Sequence, residues 1–183
     1  VDSDDTYDSL MTKLKPISSN HTFQAFSILS RHSNLIKRVR TGRYAIKPSM
    51  GAYVVFRHFK NGMQEPLQLV VPSVRTMQDM AGALGKKLMA DSASIVKVLT
   101  DEAACRELGY DTTTIAALFI PNTYDIYWDT SVNNLLQRMQ KENKKFWDDA
   151  RMKKAEALKL SPVEVATLAS IVDEETANNG EKP

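Results

Sequence analysis

Three carboxylates in a row, Asp173, Glu174 and Glu175, sit within the stretch LSPVEVATLASIVDEETANN that runs from Leu160 to Asn179. Ser161, Pro162 and Glu164 form a capping box with proline at the first helical position, so the start of a helix is fixed and its phase can be followed. At about 100° per residue, Val165, Leu168, Ile171 and Val172 fall on one stripe that must face the core, and Glu175 projects onto that same stripe. Asp173 and Glu174 lie well over about 100° to either side and read as solvated. A carboxyl group aimed at apolar surroundings loses solvation, which raises its pKa and keeps it protonated near neutrality, the state a general acid requires. Geometry alone leaves two other outcomes open: the helix ends before Glu175, or Glu175 pairs with a lysine or arginine.

Other chemistries lack their residues. The sequence has no GxSxG elbow, no GxxxxGK[ST] or GxGxxG loop and no HExxH pair. His21, His32 and His58 stand far apart with no cysteine or carboxylate at ligand spacing, so no metal site is expected. The single cysteine, Cys105, excludes an internal disulfide and reads as a small buried thiol. With 24 basic and 22 acidic residues the net charge of +2 is too balanced for a nucleic-acid binder. The segment IKRVRTGRYAIK, Ile36 to Lys47, carries five basic residues; they fit either a solvated strand face or contact with an anionic ligand.

The elements that must position the acidic helix read as α+β. Helical patterns cover Tyr7–Leu14 and the stretch holding Phe23, Phe26, Ile28 and Leu29. Ile36–Lys47 alternates like a strand, and Ser49–Lys60 reads as a helix with Met50, Val54, Val55 and Phe59 inward, stopped at Asn61-Gly62. Leu67–Pro72 is a short apolar strand, followed by a helix opened by Thr76. Short helices follow at Asp91–Leu99 and Glu102–Leu108, then an apolar strand at Ala117–Ile120 that runs into a Pro121-Asn122-Thr123-Tyr124 turn. Ser131–Trp147 is a long amphipathic helix, and the last segment is one further helix. Few strands separated by helix pairs argue against a doubly wound parallel sheet.

At the acidic helix the residues meet a known family. TLASIVDEETA resembles the signature of the MltG (YceG-like) endolytic murein transglycosylases, and three more segments agree in order and spacing: RTGRYAIKPSM, VVPSVRTMQDMAGAL and ALFIPNTYDIYW. Together they span Thr41 to the C-terminus. The resemblance implies an N-terminal α+β module over residues 1–66, a LysM-like glycan-binding β/α subdomain over 67–129 and, over 130–183, the start of a partial catalytic domain. It places the family's catalytic glutamate on Glu175, with Asp173 where the family has its first glutamate. Asn122 stands where the family usually has aspartate, and Ala116-Ala117 replace a common glutamate-glycine pair, so Asn122, Thr123 and Tyr124 are assigned at most a substrate-binding role, as is Asp173.

The activity implied is internal cleavage of peptidoglycan glycan strands between N-acetylmuramic acid and N-acetylglucosamine, leaving 1,6-anhydro ends and needing no cofactor. Peptidoglycan synthases are the implied envelope partners. The implied location is the inner membrane, with a single-pass anchor upstream and this region in the periplasm. Family members continue beyond the acidic helix, so the chain is expected to lack part of the cleft. Two alternatives stand beside this reading. One is a non-catalytic glycan-binding scaffold; the other is a pyridoxal-phosphate lyase acting on aminodeoxychorismate, for which no glycine-rich phosphate cup is present.

Overall fold

Side-chain caps fix where nearly every helix begins. In the computed structural model, which describes residues 1–74 and 76–175 and only the backbone of Glu174, α1 (Tyr7–Leu14) opens on a reciprocal box between Thr6 and Ser9. Ser19 caps α2 (Asn20–Arg31), Thr76 caps α4 (Met77–Gly85), Asp91 caps α5 (Ser92–Leu99) and Asp101 caps α6 (Glu102–Glu107). Ser131 and Asp148 do the same for α7 (Val132–Phe146) and α8 (Asp149–Ala157). Each cap oxygen accepts one backbone N–H that the first helical turn cannot satisfy internally. α3 (Ala52–Asn61) instead starts after Gly51 and stops at Gly62, whose φ of 66° supplies the left-handed turn that ends it. Strands β1 (Leu67–Val71) and β2 (Asn122–Ile126) pair into a two-stranded sheet. The fold is α+β, as the sequence pattern implies.

The chain divides into two compact units. One comprises Val1–Gln68 with Asp125–Asp129; the other comprises Leu69–Tyr124 and the chain from Thr130. In the first, α2 packs on α3 and the core gathers Leu10, Leu14, Phe26, Leu35, Val55, Phe56 and Phe59. Each such side chain contributes roughly 1.5–3 kcal/mol by leaving water. Phe59 anchors this core: Phe26 meets it edge-on at 6.0 Å and Tyr44 lies against it at 4.5 Å. On α3 the buried residue beside Val55 is Phe56, whereas Val54, expected inside, is exposed.

Ile36–Lys47 forms no strand, in contrast to its alternating pattern. The alternation is produced by packing: Val39, Tyr44 and Ile46 cover the helical core, and the backbone finds its partners elsewhere. The Gly42 amide donates to the Val1 carbonyl at 2.9 Å, the Val1 backbone nitrogen donates to the Gly42 carbonyl at 3.1 Å, and the Glu65 amide donates to the Arg43 carbonyl at 2.8 Å.

In the second unit α5 packs on α4, α6 and α7, and Leu69, Leu84, Ile95, Leu99, Leu118 and Leu135 are fully buried. Cys105 is buried too; its thiol donates to the Leu99 carbonyl, and burial pushes its pKa up. The strand expected at Ala117–Ile120 is a 3-10 turn, Ile115–Leu118, and the pairing strand lies a few residues later, where a turn was expected. The single helix expected after α7 is two: α8 ends at Ala157, Lys159 just beyond it takes φ 56°, and α9 (Pro162–Glu175) begins anew.

Candidate functional site

α9 begins where its capping box dictates. The Glu164 carboxylate accepts from the Ser161 backbone N–H at 2.7 Å and from its hydroxyl at 2.8 Å, while the Glu164 amide donates to Ser161 Oγ at 3.3 Å. The same bonds to Ser161 hold the Glu164 carboxyl below its ordinary pKa. The helix continues to Glu175, so all three acids of the cluster are helical.

The apolar stripe leading to Glu175 is not covered, contrary to the expectation that it faces a core. α9 packs against the 3-10 turn and α8, and Pro162, Val163, Val165 and Ala166 near its beginning are half-buried. Beyond them Leu168 is 48% exposed, Ile171 51% and Val172 42%. Glu175 is exposed and makes no hydrogen bond or ion pair with another described residue.

Asp173 is differently placed. Its Oδ2 accepts from the Ser73 hydroxyl at 3.2 Å, tying α9 to the segment that follows β1. The side chain of Glu174 lies outside the described residues.

Asn122 and Thr123 open β2 and are both exposed, with Asn122 Oδ1 accepting from the Thr123 amide at 2.7 Å. Tyr124 turns inward. It is 7% exposed, and its hydroxyl donates to the Ile120 carbonyl at 2.7 Å. Burial pushes its pKa up, and the nearby Glu142 carboxylate adds to this against the opposing charge of Arg138. Tyr124 thus locks the Ile120–Tyr124 corner, leaving Asn122 and Thr123 as the members of that motif open to a ligand. Among the described residues, no hydrogen bond joins Glu175 to any of the three.

Two residues of this region escape the sequence pattern. Ser73 carries no periodicity signal. Asn143 does carry one, as a polar residue four positions after Met139 on the buried stripe of α7. Its side-chain amide donates to the carbonyls of Ala117 at 2.8 Å and Leu118 at 3.2 Å, and its oxygen accepts from the Tyr110 hydroxyl at 3.3 Å. It thereby fixes the 3-10 turn on which α9 rests.

Among the described residues no three histidine, cysteine or acidic side chains gather as a metal site, and no helix is long and apolar enough to cross a membrane.

The fold is similar to that of a YceG-like protein of Listeria monocytogenes. The match has a TM-score of 0.52 at 18% identity and covers 98% of this chain and 64% of that one. The chain thus spans about two thirds of the length of that relative. No functionally curated protein shows significant similarity to it. The YceG-like family model matches residues 1–183, the whole sequence, and the chain belongs to the YceG-like family.

Proposed function

We propose that the protein carrying this chain is an endolytic lytic transglycosylase that cuts peptidoglycan glycan strands between N-acetylmuramic acid and N-acetylglucosamine. The observation that carries this reading is the position of Glu175. It is a helical carboxylate without a partner among the described residues, on the stripe of Leu168, Ile171 and Val172 and in the segment that resembles the family's signature.

Glycosidases that use water need two carboxylates, one on each side of the bond. One suffices when the sugar supplies its own nucleophile. Glu175 protonates the departing glycosidic oxygen, and the resulting carboxylate takes the proton from the 6-hydroxyl of the muramic sugar. That oxygen bonds to the anomeric carbon of the muramic sugar as the glycosidic oxygen leaves it, closing a 1,6-anhydro ring, and the high effective molarity of the neighbouring hydroxyl replaces an activated water. A glycan strand lying along α9 would cover the open stripe and remove water from around Glu175. On this reading Asn122 and Thr123 contact the strand and the LysM-like subdomain over residues 67–129 holds it. The setting is the periplasmic face of the inner membrane, beside the synthases whose strands it shortens.

Mass spectrometry of uncrosslinked glycan strands after incubation with the full gene product tests this. New 1,6-anhydro-muramic ends are expected; hydrolytic reducing ends, or no new ends, would contradict it. The exposure of Glu175 favours one second reading, a scaffold that binds glycan without cutting it. Strand binding with no new ends would select that reading.

A further inference from the structure

From Ser9 to Gln64 the sequence contains ten lysines and arginines, three histidines and no aspartate or glutamate. The acids of this unit are confined to its first eight residues, to Glu65 and to Asp125 and Asp129. All ten basic side chains are exposed. Lys13 is paired, with Asp2 at 2.9 Å and with Asp5, whereas the eight from Arg31 to Lys60 form no ion pair with a described residue. Such segregation goes beyond a solvated surface of mixed charge, on which both signs alternate.

Exposed apolar side chains are interspersed with these charges, each within one helical turn or a few residues of a base. Ile28 is 60% exposed and lies three residues before Arg31 on α2; Ile36 precedes Lys37 and Arg38. On α3 Tyr53 and Val54 are exposed beside Arg57, whose guanidinium lies 6.0 Å from the Tyr53 ring, and Met63 follows Lys60. Single exposed apolar residues are ordinary on a surface. Their repeated pairing with unneutralised lysine and arginine is the pattern of side chains that enter a headgroup layer while the charges meet anionic lipid.

We propose that this acid-free stretch of the N-terminal unit docks peripherally on an anionic lipid bilayer, its lysines and arginines meeting phosphate headgroups and Ile28, Ile36 and Tyr53 entering the interface. Charge alone would equally suit a soluble polyanion; the exposed isoleucines favour a bilayer, because a polyanion in water offers them nowhere to be buried. The inference does not involve Glu175 and stands or falls apart from the enzymatic reading.

Vesicle flotation of the 183-residue chain is the test, with phosphatidylcholine vesicles made with and without phosphatidylglycerol and with heparin as a soluble polyanion. Binding is expected only to vesicles containing phosphatidylglycerol, weakening as salt is raised. Neutralising Lys37, Arg38, Arg57 and Lys60 to serine should lower the partition coefficient by roughly fivefold per residue. Exchanging each for the other basic residue should preserve it, which separates loss of charge from loss of fold. The Ile28→Ser/Ile36→Ser variant should float less while binding heparin unchanged. Absence of binding to anionic vesicles at low salt overturns the proposal. Vesicle binding indifferent to both isoleucines, with heparin bound equally well, overturns it in favour of a soluble polyanion.

Discussion

Asn143 donates both of its side-chain N–H bonds to consecutive carbonyls, those of Ala117 and Leu118, and it is the buried polar residue that holds the 3-10 turn against α7. A buried amide so engaged cannot be removed cheaply, because two carbonyls and the Tyr110 hydroxyl lose a partner together. Asn143→Leu should destabilise the protein by about 2 kcal/mol, seen as a lower midpoint in urea unfolding. An unchanged midpoint would mean that water replaces the amide at no cost.

Gly42 is required by both backbone and space. Its φ is 144°, and a Cβ built there would stand 2.2 Å from Gln64 Cδ and 2.5 Å from Oε1. Gln64 is not free to swing away, since its Nε2 donates to the Thr41 carbonyl at 3.1 Å and to Asp129 Oδ2 at 2.9 Å. Gly42→Ala should cost about 2 kcal/mol or more. Adding Gln64→Ala should recover the part due to the clash and leave the part due to φ. Thermal unfolding of the two variants measures this, and an equal loss in both would assign the whole effect to the backbone.

How much of this was legible in the sequence depends on whether the deciding contact is local. The start of α9 was legible because Ser161 and Glu164 satisfy each other within one turn, and the end of α3 because Gly62 needs nothing but its own φ. The segment Ile36–Lys47 misleads because a strand pattern and an irregular segment packed on helices bury the same alternate residues. What separates them is hydrogen bonding to Val1 and Glu65, which no local pattern carries. The apolar run Ala117–Ile120 likewise reads as a strand until Asn143, 26 positions from Ala117, takes its carbonyls. At the site, the helical phase of Glu175 was legible from spacing, but whether anything covers its stripe is a tertiary fact.

Asp111 offers a pH test free of those questions. Its Oδ1 accepts from the amides and hydroxyls of both Thr113 and Thr114, at 2.6–2.9 Å, and these bonds hold its carboxyl at about 2, below an ordinary value of 3.8. Because the folded value is the depressed one, the bonds stabilise the fold fully above about pH 4, and that contribution fades as pH falls toward 2. Carboxyl NMR titration should place Asp111 near 2. Asp111→Asn should flatten the acid limb of the stability curve between those values, and a titration near 3.8 would refute the assignment.

The α9 capping box gives a more local expectation. Ser161→Ala removes the acceptor of the Glu164 amide and one donor to the Glu164 carboxylate, and should destabilise by about 1 kcal/mol. It should also raise the Glu164 pKa toward the ordinary carboxylate range. Equilibrium unfolding and side-chain carboxyl NMR check the two effects separately.

In the proposed reaction Glu175, and not the neighbouring Asp173 that accepts from Ser73, moves the proton. The most direct measurement is the rate at which 1,6-anhydro-muramic ends appear in uncrosslinked glycan, compared among the full gene product and its Glu175→Gln and Asp173→Asn variants. Loss of a general acid costs about a hundredfold or more, so Glu175→Gln should fall by at least that factor while Asp173→Asn stays within about tenfold. A Glu175→Gln variant that retains most of its rate, or an Asp173→Asn variant that loses it, would contradict the account.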